Sequence, residues 1–160
     1  MTAGNDARLV APGLSLAFVI HVELNPALEQ GTVDGRRKRF VPIRGGRVIG
    51  SRLSGVVLPG GGDWQTIADD GLTEVQARYA IQADDGTVID IVNPGVRVAS
   101  PEISDRLALG EPVEADAYYF RTTPRFSVVD GAHDWLRRKV FIGRGVREPD
   151  RVVIEVFVVD

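Results

Sequence analysis

Val75, Ala77, Tyr79 and Ile81 alternate with Glu74, Gln76, Arg78, Ala80 and Gln82. A two-residue period of this kind suits an extended strand with one buried face and does not suit a helix. The same period recurs along the chain. Leu14, Leu16, Phe18, Ile20, Val22 and Leu24 share one face of a first long strand, with Ser15, Ala17, Val19, His21 and Glu23 on the other. Further strands are expected at Arg39–Ile43, Arg52–Leu58, Val88–Val92, Tyr118–Thr122, Phe126–Val129, Lys139–Ile142 and Arg151–Val159. Gly45-Gly46 reads as a hairpin turn returning through Val48, Asp84-Asp85-Gly86 as a second, and Gly143-Arg144-Gly145 with Pro149 as the link between the last two segments. Helical periodicity is confined to two short candidates, Ser104–Leu109 and His133–Lys139.

About eight to ten short strands separated by turn residues indicate a sandwich or a closed barrel. The last strand decides between them. Val152, Ile154, Val156 and Val158 line one face, and Val153, Phe157 and Val159 share the other with Glu155. A strand apolar on both faces must be covered on both. The expected fold is all-β: a single closed or nearly closed antiparallel β-barrel, calycin-like in general shape, with one or two short helices. It would occupy residues 14–160 behind an N-terminal arm of residues 1–13. Its outer apolar row would meet a second copy in a homodimer or higher homo-oligomer.

Composition narrows the function classes. The 160 residues suffice for one core, and without cysteine the chain has no disulfides, zinc–thiolate sites or thiol nucleophile. The run Leu14–Ile20 is too short to span a membrane, and residues 1–12 carry Asp6 and Arg8 without a basic start or a small-residue cleavage site. The expected setting is cytoplasmic, with no membrane partner. Net charge is −3, yet residues 31–52 hold Arg36, Arg37, Lys38, Arg39, Arg44, Arg47 and Arg52 against Asp34 alone. This run is either a solvated hairpin or an anion site with Arg37 turned inward. Nucleic acid is disfavoured, because the chain is acidic overall and the run contains one aromatic residue, Phe40.

The stretch Pro59-Gly60-Gly61-Gly62-Asp63-Trp64 is the strongest local signal. Three glycines free the backbone and leave its N–H groups unscreened. An acid followed by the largest aromatic is more than a turn requires. The stretch is either a site, with Asp63 as proton carrier and Trp64 as a pocket wall, or a tight connection plugged by Trp64.

Known signatures of chemistry are missing. Gly143-x-Gly145 lacks the third glycine of a dinucleotide fingerprint, and Gly60-Gly61-Gly62 lacks the Lys-Ser/Thr of a phosphate loop. Arg52 stands where a nucleophile elbow around Ser54 needs glycine. His21 and His133 are the only histidines, so no metal site and no cofactor are expected. Polar and aromatic groups on apolar strands remain: Tyr79 among Val75, Ala77 and Ile81; Asp90 beside Val88 and Val92; Tyr119 and Arg121 on one face; and Trp135. A buried acid with a tyrosine and an arginine composes a cofactor-free proton-transfer site, or equally a network that only fixes the barrel.

These residues resemble a known family. Gly35-Arg36-Arg37, Gly45-Gly46, Gly50, Gly55, Pro59–Trp64 and Asp70-Gly71 are similar in order to the bacterial and fungal family called Domain of Unknown Function 3237. The likeness continues through Ala77-Arg78-Tyr79, Asp84-Asp85-Gly86, Tyr119-Phe120-Arg121-Thr122, Pro124, Phe126, Trp135-Leu136 and Phe141-Ile142-Gly143, spanning roughly residues 14–158. It implies a small β-barrel with no settled activity. Arg137, after the Trp-Leu pair, departs from the pattern.

The combined reading is a barrel holding a small aromatic or polyketide-like organic ligand, neutral or anionic. The first function is a cofactor-independent isomerase, cyclase or lyase. Asp63 would be the acid or base and Tyr79 and Arg121 its stabilisers. Arg37, Trp64, Asp90, Tyr119 and Trp135 would bind the ligand. A non-catalytic binding protein is the alternative, and a structural or interaction domain the third.

Overall fold

The computed structural model describes residues 9–160. Eleven strands form one antiparallel sheet: β1 (Leu14–Leu24), β2 (Leu28–Val33), β3 (Arg36–Ile49), β4 (Gly55–Val57), β5 (Gly62–Ile67), β6 (Leu72–Ala83), β7 (Val88–Val98), β8 (Tyr119–Thr122), β9 (Arg125–Ser127), β10 (Phe141–Glu148) and β11 (Arg151–Val159). Eight of them close a barrel in the order β1-β3-β5-β6-β7-β8-β10-β11, with β11 returning to β1. The expected barrel is thus observed. The remaining strands are excursions: β2 extends β3 as a hairpin, β4 bridges β3 and β6, and β9 lies on β7. Helix α1 (Pro101–Ala108) is capped by Ser100, whose side chain accepts from the Ile103 N–H. The second helical candidate is a 3-10 turn at Asp134–Arg137. No helix among the described residues is long and apolar enough to cross a membrane. Of the expected arm, residues 1–8 lie outside the described residues, and 9–13 precede β1 without regular structure.

Local expectations fared unevenly. The turn at Asp84-Asp85-Gly86 joins β6 to β7 as expected. Gly45-Gly46 is no hairpin turn. It bends the continuous strand β3, and a Cβ on Gly46 would lie 1.9 Å from the carbonyl oxygen of His21. The tight turn lies earlier, where Asp34 and Gly35 both take positive φ. Gly143 and Gly145 sit inside β10 rather than in a link, beneath Thr122 and Phe120. A register shift between Leu16 and Phe18 turns Leu14 and Leu16 out of the core beside Val159 and Phe157. They are half-exposed, where simple alternation put them inside.

The interior has two halves. One is dry: Phe18, Phe126 and Phe141 pack edge-on or tilted, with centroids 5.1–6.3 Å apart, over Ile20, Ile81, Ile89, Ile91 and Val156. Trp135 and Leu136 close that end. Toward the other end, Leu107 of α1 packs with Val75, Ala99, Tyr118 and Phe120. Between that cluster and the dry half the inward positions become polar.

Candidate functional site

Alternation brings polar side chains onto the inner wall of the second half. Asp63 and Gln65 come from β5, Tyr79 from β6, Asn93 and Arg97 from β7, Thr122 from β8 and Arg147 from β10. With Val22, Leu24, Val41, Ile43, Val75, Ala77, Phe120, Val152 and Ile154 they enclose a cavity of about 40 Å³. The space suits a small polar head group.

The Gly-rich stretch positions Asp63. Leu58 donates its N–H to Ala80 O, Gly60 donates to Ile43 O, and Gly61 O accepts from Ile43 N, so the stretch is irregular barrel wall between β3 and β6. Gly61, at φ +71, lies so close to β6 that a Cβ would sit 2.2 Å from Arg78 O. The wall regains regular pairing at Gly62, and the next residue points inward.

The Asp63 carboxyl is held at both oxygens. Oδ1 accepts from Gln76 N at 2.9 Å, and Oδ2 accepts from Gln65 Nε2 at 2.8 Å. Gln65 Oε1 in turn accepts from Arg39 Nε at 3.0 Å. Burial pushes the Asp63 pKa upward against these hydrogen bonds and the Arg97 and Arg39 charges. Burial, with the Asp63 charge, also raises that of Tyr79, so its phenol stays protonated and acts as a donor. Arg97 is lowered to about 10 by burial and by Arg39 and Arg147, which leaves it cationic at neutral pH. Tyr79 Oη, Asn93 Oδ1, Arg97 Nε and Thr122 Oγ1 have no hydrogen-bond partner among the described residues. Buried polar atoms are ordinarily paired, so four open ones around one cavity mark a place built to receive a polar group. No group of three or more His, Cys, Asp or Glu side chains converges among the described residues.

The structure brings together only part of the expected site. Asp63 and Tyr79 share the cavity. Arg121 does not: Phe120 and Thr122 are buried inside β8, while Arg121 and Tyr119 point outward and stack on each other at 5.0 Å. Trp64 is 45% exposed on the outer face against the Phe40 ring, 4.8 Å away. Asp90 lies exposed on the outer face of β7 with Val88 and Val92. Arg37 is exposed and pairs with Glu29 at 3.3 Å, while Arg39, two residues on, is 4% exposed. Trp135 is far from Asp63 in character, packing on Phe18 and Phe141 at the dry end with Arg52 over its ring at 4.0 Å. His133 bonds the turn residue Asp85 at 2.8 Å.

Gln65, Asn93, Arg97, Thr122, Arg39 and Arg147 were missed. A signal existed for two of them. Extending the Val88–Val92 strand to Val98 continues Ile89 and Ile91 into Asn93 and Arg97, polar residues on a buried face. Asn93-Pro94-Gly95 disguised that continuation as a turn.

The fold and interior define a class: small closed β-barrels with a polar cavity around one buried carboxyl. The chain belongs to the family described as protein of unknown function (DUF3237), whose model matches residues 12–159. A UPF0311 protein of Rhodopseudomonas palustris is 40% identical over 139 residues, 87% of this chain and 91% of that protein. A crystal structure of a Rhodopseudomonas palustris protein of unknown function superposes with TM-score 0.88 at 37% identity, covering 95% of this chain and 99% of that one. A beta-barrel like protein from Acinetobacter baumannii gives 0.79 at 32% identity, over 96% and 100%. An enzyme from Penicillium herquei shares the fold at TM-score 0.72 and 20% identity, over 96% and 98%.

Proposed function

We propose that the protein is a cofactor-independent enzyme of the isomerase, cyclase or lyase kind, moving a proton on a small organic substrate. The observation that carries this reading is an inward, half-buried carboxyl of raised pKa in one cavity with an unpartnered phenol and an unpartnered guanidinium. Asp63 gives or takes the proton, since a carboxyl pushed toward neutrality serves in both directions. Negative charge developing on a substrate oxygen is met by the Tyr79 hydroxyl and by Arg97, the position that Arg121 was expected to fill. Thr122 and Asn93 orient the bound group. A structure of the same fold is described as an enzyme. This gives precedent for catalysis in such a barrel without specifying the reaction.

A non-catalytic binding protein is the second reading. It is favoured by the hydrogen bonds on both Asp63 oxygens, which give that residue a structural task. One variant separates the two. Native mass spectrometry of freshly purified protein identifies the co-purifying molecule, and solvent-deuterium incorporation into it reports proton transfer. Asp63→Asn should retain binding and lower exchange by about a hundredfold or more. Unchanged exchange in a folded Asp63→Asn protein ends the case for Asp63 and leaves the binding reading.

A further inference from the structure

Three guanidiniums converge on this end of the barrel with one carboxylate among them. Arg39 is 4% exposed and Arg97 3% exposed; Arg147 is half-buried. None of the three is ion-paired among the described residues, and Arg39 and Arg97 are the arginines that are buried. Arg147 is partly tied, donating from Nη1 to the carbonyls of Glu148 and Arg151. Arg39 donates only from Nε, to Gln65, and Arg97 makes no side-chain hydrogen bond among the described residues. Asp63 bonds Gln65 and Gln76 rather than any of these arginines. Three buried or half-buried cations around one carboxylate leave an excess of positive charge, which is costly to bury and favours a further anion there.

Two of them, Arg39 and Arg147, stand between the inner cavity and the surface. A groove of about 410 Å³ runs between the β1–β2 connection (Asn25, Pro26, Ala27), the end of α1 (Leu109, Gly110) and the β10–β11 turn. Leu24 and Arg147 line both groove and cavity, and Arg39 lines the groove while bonding Gln65 of the cavity. The sizes divide the labour: the smaller, polar cavity suits a carboxylate head, and the larger groove takes a ring-sized body.

We infer that the natural ligand carries a carboxylate on a ring-sized skeleton and enters head-first past Arg39 and Arg147, its carboxylate seating on Arg39 and Arg97. Forked guanidiniums bind such a planar anion through paired hydrogen bonds. The inference rests on the proton-transfer reading for the chemistry near Asp63, but the anion seat can be measured separately.

The probes are 2-naphthoate and its uncharged isostere 2-naphthamide, followed by isothermal titration calorimetry and thermal melting. Naphthoate should bind and raise the melting temperature with concentration, and naphthamide should do neither. Arg97→Met and Arg39→Met should each weaken naphthoate by about tenfold or more, the loss of a charge-assisted hydrogen bond; Arg97→Met should melt no lower than wild type, whereas Arg39→Met also strips Gln65 Oε1 of its donor. Arg44→Met, at the groove but paired with Glu23, should change affinity by less than about threefold. Should one arginine variant not fold, the other decides. Naphthamide binding as well as naphthoate, no naphthoate binding at all, or full affinity in both folded arginine variants would each overturn the proposal. Asp63→Asn removes a carboxylate beside the seat and should not weaken naphthoate. Loss of exchange with binding intact therefore touches only the catalytic reading, and loss of binding in the arginine variants touches only the seat.

Discussion

The three consecutive glycines make the sharpest test of how this barrel holds its acid, because each is glycine for a different reason. Gly60 has φ +109 and open space where a Cβ would stand, so Gly60→Ala costs backbone strain alone, about 1–2 kcal/mol. Gly61 combines φ +71 with a main-chain oxygen, Arg78 O, 2.2 Å from the Cβ position. Strain of about 1–2 kcal/mol adds to an overpacking cost of similar size, about 3 kcal/mol together. Gly62 has an ordinary φ but faces the Phe40 ring, with Cε2 at 2.2 Å. Its cost, about 1–3 kcal/mol, falls mainly on that ring, which can be trimmed, and in part on Val41 O, 2.8 Å from the Cβ position. For a chain of this size 1 kcal/mol moves the melting temperature by about 3 °C, so Gly60→Ala should lose about 3–6 °C and Gly61→Ala about 9 °C. Phe40→Leu should recover much of the loss in Gly62→Ala and none of that in Gly61→Ala, a coupling measured by a double-mutant cycle. Differential scanning calorimetry of wild type, the three glycine variants, Phe40→Leu and the two double variants is the assay. Gly61→Ala melting within about 3 °C of wild type, or rescued by Phe40→Leu, would refute the claim that backbone contact with β6 requires glycine there.

Three further outcomes are expected. The raised pKa of Asp63 means the folded chain holds that proton more tightly than the unfolded one, whose value is the ordinary 3.8. Wild-type stability should therefore decline as pH rises from about 4 through the raised native value, and Asp63→Asn should flatten that slope in melting curves against pH. Arg121→Leu, Asp90→Asn and Trp64→Ala alter the outer wall, and each should leave naphthoate affinity within about twofold of wild type by calorimetry. Leu14, Leu16, Phe157 and Val159 share an outer face. Sedimentation should show a homodimer or larger species that Phe157→Glu dissociates, and a 17.4 kDa monomer at high micromolar concentration would contradict this.

The barrel was legible because it rests on local period and on one global requirement. Alternation at Glu74–Gln82 sets which side chains share a face wherever strands pair. A final strand apolar on both faces calls for cover on both. The turn at Asp84-Asp85-Gly86 was equally local, needing only residues that accept its backbone angles. The site was half legible. Asp63 and Tyr79 announced themselves as polar groups among apolar or glycine neighbours, and both line the cavity. What the chain alone could not decide was which face of each short strand looks inward. In β8 the choice between Tyr119 with Arg121 and Phe120 with Thr122 depends on Gly143 and Gly145, which clear space opposite the second pair. In β1 a single bulge expelled Leu14 and Leu16. A one-residue change of register exchanges inside for outside along a whole strand, and register is a property of pairing. The gathering of Arg39, Arg97 and Arg147 belongs to the same class. They lie on three strands far apart in sequence, and only closure of the barrel places their charges around one carboxyl.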